Sequence, residues 1–155
     1  MIEKLVYVSA SSFNSHENNV NKNVSKEEVN AFIKNRYPTI SSGQLSDFKY
    51  PENYPFWDDK YEELLKFKGF ARALISTVKN HKNLDLENKE ISDSNKKVYT
   101  IWGDSDSVVI FNNIKGKLNK LLPNRFEYTV PNSGHLPHIE NQSDFEKYLF
   151  EVVLK

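Results

Sequence analysis

The sequence predicts an α/β domain built on a parallel sheet, and three observations carry that expectation. Short apolar runs at "KLVYVSA" (4–10) and "VYTIWG" (98–103) show no polar alternation, which suits strands buried on both faces. A helical pattern follows the second run and another follows "RFEYTV" (125–130). The later half therefore reads strand–helix–strand–helix, the βαβ order of a parallel sheet. Two unusual loops, "GDSD" and "NSGHLPHIE", fall at the carboxyl ends of those strands, where such sheets gather their chemistry.

Between the first strand and the second lies a long, mostly helical stretch. "SSFNSHENNVNKN" (11–23) reads as polar loop. Ser25 then precedes "KEEVNAFIKNRY" with Glu28 three residues on, the pattern of a capping box. Val29, Phe32 and Ile33 give the stripe of a short amphipathic helix that Pro38 is expected to end. Residues 39–59 are rich in Pro and read as irregular, yet Tyr50, Tyr54, Phe56 and Trp57 make them too apolar for a free linker. "YEELLKFKGFARALISTVKN" (61–80) is the longest helical pattern. Leu64, Leu65, Phe67, Ala71, Leu74, Ile75 and Val78 line one side of it, which implies deep packing. Gly69 in its middle costs about 1 kcal/mol relative to Ala and marks a break or a close helix contact. Residues 81–97 read as a charged surface connection. An amphipathic helix follows at 107–122, stopped by Pro123 and Asn124, and a last one at 143–155 has Ser143 as cap and Glu146 at the capping-box position.

Bulk properties exclude several classes of function. The 155 residues suffice for one core-bearing domain. The 21 basic and 21 acidic residues cancel, and the scattered Lys form a solvated face, so no nucleic-acid partner is expected. There is no Cys, which rules out thiolate chemistry and Cys-based zinc sites and fits a cytoplasmic location. No apolar run approaches the roughly 20 residues of a membrane span. "MIEKLVYVSA" carries an acid and lacks a long apolar core, so it reads as fold and not as a secretion signal.

The two strand-end loops hold the candidate site. In "IWGDSDSVV", Asp106 or Ser107 caps the helix that follows, or one carboxylate of Asp104 and Asp106 reaches into a site shared with the next loop. In "NSGHLPHIE", three readings compete. His135, His138 and Glu140 offer three metal ligands, but H-x-x-H in a Pro-containing loop is not the i, i+4 helical face of a zinc protease. The same groups satisfy loop backbone in a structural turn. As half of a hydrolytic triad, His135 is the general base, oriented by a carboxylate from the preceding strand end.

Asp before His on successive parallel strands is the order of an α/β hydrolase after its nucleophile. "VYTIWGDSDSVV" followed by "LLPNRFEYTVPNSGHLPHIENQSDFEKYLFEVV" resembles the C-terminal segment of that superfamily, in its cap-bearing esterase, epoxide-hydrolase and C–C-bond-hydrolase branch. Gly103-x-x-Asp106 and Gly134–His135 with Glu140 match the pattern in order and approximate spacing. "MIEKLVYVSAS" looks like the sixth sheet strand, and "FKGFARALISTVKN" like the helix by which the chain returns from the cap. The resemblance implies the C-terminal part of an α/β-hydrolase fold: residues 1–10 a core-sheet strand, 11–65 a cap, and 66–155 core, with the N-terminal half of the fold absent. It implies Asp106 as the acid that orients His135, and His135 as the base. Asp104, His138 and Glu140 stand behind them, Glu140 fixing the loop and His138 a bystander. It implies no cofactor and no metal.

The family's G-x-S-x-G nucleophile motif is absent from this chain. A triad acts as a unit, so the chain alone is expected to be inactive. Its parent is expected to be a serine esterase-like hydrolase of small acyl substrates, or an epoxide or halide hydrolase were the upstream nucleophile Asp. The missing N-terminal half is then a partner of this chain. Phe56 and Trp57, in an aromatic cap, are candidate substrate contacts; equally, those aromatics form the cap's own core. The alternatives are a non-catalytic binding or scaffold protein on the same fold, and a small module holding Mg²⁺ on its acidic loop.

Overall fold

The computed structural model describes residues 2–14 and 22–155. The remaining residues of the stretch read as polar loop, 15–21, lie outside this description. In chain order the elements are β1 (Lys4–Val8), α1 (Lys26–Gly43), α2 (Trp57–Leu65), α3 (Phe70–Lys79), α4 (Asp85–Ser92), β2 (Lys97–Gly103), α5 (Phe111–Leu121), β3 (Phe126–Val130), α6 (Pro137–Glu140) and α7 (Gln142–Tyr148). A π-helical turn, Leu149–Val153, closes the chain. They fall into two units: residues 1–14, 47–50 and 83–155 in one, and 15–46 with 51–82 in the other.

In the first unit, β1, β2 and β3 form a parallel sheet in that order. β2 lies in the middle, and every residue from Val98 to Gly103 is buried. Its side chains alternate between two apolar faces. Val98 and Trp102 meet Phe13, Val109, Ile114, Leu118 and Leu122 in the core cluster, so α5 covers that face. Tyr7 of β1 joins the same side, edge-on to Phe13 at 5.5 Å, and its hydroxyl donates to Asn88 of α4 at 2.8 Å. On the other face Tyr99 stacks on Phe126, its register partner, at 5.0 Å. Tyr128 stacks on Tyr148 at 4.2 Å and holds α7 there. Helices thus cover both sides of a parallel sheet, which is why its central strand is apolar without alternation.

The second unit is helical. Ser25 and Glu28 close the capping box that starts α1: Glu28 N–H donates to Ser25 Oγ at 3.2 Å and Ser25 N–H to Glu28 Oε2 at 2.8 Å. Glu28 also pairs with Lys79 of α3. Arg72 donates to the Val24 carbonyl at 2.5 Å, and Tyr61 and Phe70 meet edge-on at 5.9 Å.

Several local expectations change. Pro38 does not end its helix; α1 runs on to Gly43. The carbonyl that loses its donor belongs to Lys34, an exposed residue open to solvent. The 61–80 pattern is two helices, broken where Gly69 turns left-handed at φ 93°. It packs less deeply than its stripe implies, with Ala71 buried but Phe67 and Val78 67% and 63% exposed. The charged connection contains α4, fixed by buried Asn88. The last helix is capped by Asn141, whose Oδ1 accepts from Asp144 N–H, instead of by Ser143. No helix among the described residues is long and apolar enough to cross a membrane.

Candidate functional site

Parallel register decides what meets at the sheet's carboxyl edge. Gly103 pairs with Val130, so the loops after β2 and β3 leave the sheet side by side. They are stitched at once: Asp104 N–H donates to the Val130 carbonyl at 3.1 Å and Ser105 N–H to the Ser133 carbonyl at 2.9 Å. Gly103 permits this approach, because a Cβ there would stand 1.9 Å from the Gly134 carbonyl oxygen. Asp104 adds a second stitch. Its carboxylate accepts from Asn132 N–H at 3.0 Å, Ser133 N–H at 3.3 Å and Lys49 Nζ at 3.3 Å. Burial opposes its ionisation, but these donors and the Ser105 hydroxyl outweigh that and hold the carboxyl below its usual range.

Asp106 reaches the next loop and does not cap the helix, because the N-cap of α5 is Ile110, without a side-chain cap bond. Oδ1 accepts from Val108 N–H at 2.9 Å and Val109 N–H at 2.8 Å, an Asx turn leading toward α5. Oδ2 lies 3.0 Å from His135 Nδ1, with 1% of the Asp106 side chain exposed and 22% of His135. An ionised carboxylate only accepts, so Nδ1 carries the proton and Nε2 is the basic nitrogen. Burial works against the Asp106 charge, yet the His135 and backbone donors keep its carboxyl below the ordinary range. The Asp106 bond raises His135 above the usual histidine value; burial opposes this, and the charges of Asp106 and Asp47 add to it.

The His135 ring lines a cavity of about 390 Å³ with Val8, Ser9, Leu136, His138 and Phe145. Ser9 follows β1 in left-handed backbone at φ 43°, and its buried hydroxyl has no hydrogen-bond partner among the described residues. His138 sits on α6, largely exposed, 5.9 Å from the Phe145 ring. Burial, and then the charge of His135, lower its proton affinity.

The suggested metal trio does not converge. His135 Nδ1 is committed to Asp106, and both Glu140 oxygens are committed to backbone donors: Oε2 to Gly134 N–H at 2.5 Å, Oε1 to Lys49 N–H at 2.8 Å. No group of three or more candidate ligands is placed to hold a metal ion among the described residues. Phe56 and Trp57 belong to the second unit, Phe56 70% exposed and Trp57 half-buried. Sequence reasoning missed Asp47 and Lys49. Nothing in "SDFKY" signals them, because their partners lie far along the chain.

A parallel sheet that delivers an acid and a histidine from consecutive strand ends to one edge has the design of an α/β hydrolase. The chain belongs to that family: the model of the alpha/beta hydrolase fold matches residues 5–142. An uncharacterized hydrolase of Bacillus subtilis, YugF, is 29% identical over 132 residues, covering 84% of this chain and 43% of that protein. Among solved structures, an esterase from Exiguobacterium antarcticum superposes at TM-score 0.68 with 17% identity, over 99% of this chain and 57% of that one. A 2-hydroxy-6-oxo-6-phenylhexa-2,4-dienoate hydrolase from Rhodococcus matches at TM-score 0.66 and 15% identity, over 99% and 56%. The chain thus spans roughly half the length of the relatives it matches, 43% to 57% in these cases.

Proposed function

We propose that this chain supplies the acid and base of a hydrolytic triad, in a parent hydrolase that cleaves small ester-like acyl substrates. The observation that carries the reading is the 3.0 Å contact of His135 Nδ1 with the ionised Asp106, which leaves Nε2 free beside a cavity. Asp106 holds the ring in the productive tautomer and stabilises the imidazolium that forms when Nε2 takes a proton. The nucleophile, a serine on a strand-to-helix turn, comes from the portion of the fold this chain does not span. That portion is its partner, and the open side of β1, with Val6 37% and Ile2 66% exposed, is where it seats. Residues 11–65 are assigned as the cap, with Phe56 and Trp57 as substrate contacts, and the cytoplasm is the site of action.

A fluorophosphonate probe tests this. The full-length gene product is expected to label and to hydrolyse p-nitrophenyl esters, and His135→Ala is expected to abolish both. The 155-residue chain alone is expected to do neither. Labelling of the full-length protein that survives His135→Ala refutes the role of His135. No labelling at all favours the non-catalytic binding protein on this fold.

A further inference from the structure

Residues 47–50 part from their neighbours in sequence. The chain on either side belongs to the helical unit, while these four residues pack among the strand-end loops of the sheet unit. Phe48 is 6% exposed there. Three sets of bonds hold the segment. Lys49 N–H and Tyr50 N–H donate to Glu140 Oε1 at 2.8 and 3.4 Å, while Glu140 Oε2 takes Gly134 N–H at 2.5 Å. Lys49 Nζ reaches Asp104 Oδ1 at 3.3 Å and Asn132 Oδ1 at 3.4 Å. The Asp47 carbonyl accepts the backbone N–H of His135 itself at 2.7 Å. The fit leaves no slack. A Cβ on Gly134 would lie 2.6 Å from the Asp47 carbonyl oxygen and 2.8 Å from Lys49 N.

A parallel sheet needs none of these contacts to pair its strands. They converge on the residue before His135, on the His135 amide and on the acidic loop that faces it. We propose that residues 47–50 are a strap that fixes His135 against Asp106, with Glu140 as its anchor. Asp47, Lys49 and Glu140 are then positioning residues that act through His135 and touch no substrate. The inference rests on the reading of His135 as the base. The charges that bear on the imidazole are Asp106 and Asp47 on the acidic side and His138 on the basic side. Lys49, Asp104 and Glu140 complete the surroundings in the adjoining loops. The Asp47 carboxyl is itself raised, first by burial; the His135 charge lowers it and the Asp106 charge raises it. It therefore shares the electrostatic field of the pair.

The test is NMR of the uniformly ¹⁵N-labelled 155-residue chain, reading the His135 imidazole titration and the exchange rates of the backbone amides of His135 and of residues 48–50. Glu140→Ala and Lys49→Met are expected to speed exchange at His135 by about tenfold or more, and to move its titration toward the ordinary value of about 6.5. Asp47→Asn keeps the carbonyl, so it is expected to lower the His135 titration while leaving the amide protected. The strap is refuted if amides 48–50 exchange freely in Glu140→Ala or Lys49→Met while His135 keeps its wild-type exchange and titration. Should Glu140→Ala fail to fold, Lys49→Met, which removes only the Nζ contacts, decides alone. Fluorophosphonate labelling of the full-length protein that survives His135→Ala refutes the base reading instead. The two failures are therefore distinguishable.

Discussion

Replacing Gly103 by Ala adds one methyl group where the two site loops touch. Gly103 has no left-handed φ that would forbid a side chain, so the backbone alone permits alanine. At such positions Gly→Ala ordinarily stabilises by about 0.4–1 kcal/mol, because the unfolded chain loses freedom. Here space forbids it. The new Cβ would stand 1.9 Å from the Gly134 carbonyl oxygen and 2.6 Å from that of Ser133, against 3.4 Å for ordinary contact. The β3 loop must retreat by the difference. Such a shift carries four bonds beyond reach: Ser105 N–H to Ser133, Asp104 N–H to Val130, and the Asp104 carboxylate to the amides of Asn132 and Ser133. At about 1 kcal/mol each, less the entropic gain, the net loss is about 3 kcal/mol. For a chain of this size that lowers Tm by about 6–12 °C. Calorimetry measures it directly. Gly116→Ala in α5 is the control, since its Cβ would meet nothing within 4 Å. It should stabilise by about 0.5–1 kcal/mol. An unchanged or raised Tm for Gly103→Ala would show that the loops do not approach as described.

Asp106→Asn keeps an oxygen for the Val108 and Val109 amides but turns an NH₂ toward His135, so Nδ1 must accept and the ring proton moves to Nε2. Imidazole ¹⁵N shifts should report the tautomer change and a lowered His135 titration. The raised His135 value means that its stabilising contribution is complete below about pH 6.5 and fades as pH rises through the folded value. Asp106, lowered, contributes above about pH 3.9 and loses its contribution as pH falls through its folded value. The difference in urea midpoint between wild type and His135→Ala should therefore shrink on the alkaline side. Leu118→Ala, at 0% exposure in the core cluster, should cost about 2–5 kcal/mol in the same assay.

What the sequence made legible was whatever depends on local pattern or on strand order. Apolar runs announced β1 and β2, although only β2 is buried throughout and β1 is half-buried with Val6 exposed, and the Ser25 capping box marked the start of α1. Asp106 and His135 could be set beside each other on paper because consecutive parallel strands release their loops at one edge. Their 3.0 Å separation follows from that topology. What stayed hidden depends on partners distant in sequence. Nothing in "DLENKEIS" shows an apolar stripe, and α4 is held by buried Asn88 accepting from Tyr7, by Ile91 against the core and by Asp85 paired with Lys117. Pro38 looked like a stop because sequence cannot show that the abandoned carbonyl belongs to a residue on the exposed side of the helix. Glu140 could be suspected of holding a loop, but the segment it ties lies some ninety residues earlier, and its partners are backbone amides that carry no side-chain signature.

The sheet joins the two ends of the chain, Lys4 lying against Lys97 and its ammonium donating to the Val153 carbonyl at 2.6 Å. During synthesis, β1 therefore has to wait for β2 before the two can pair. The helical unit contains its own close-range contacts and can form while β2 is still untranslated. Until residue 103 has emerged, the side of β1 that pairs with β2 stays open, and that interval is when the growing chain is most prone to wrong association.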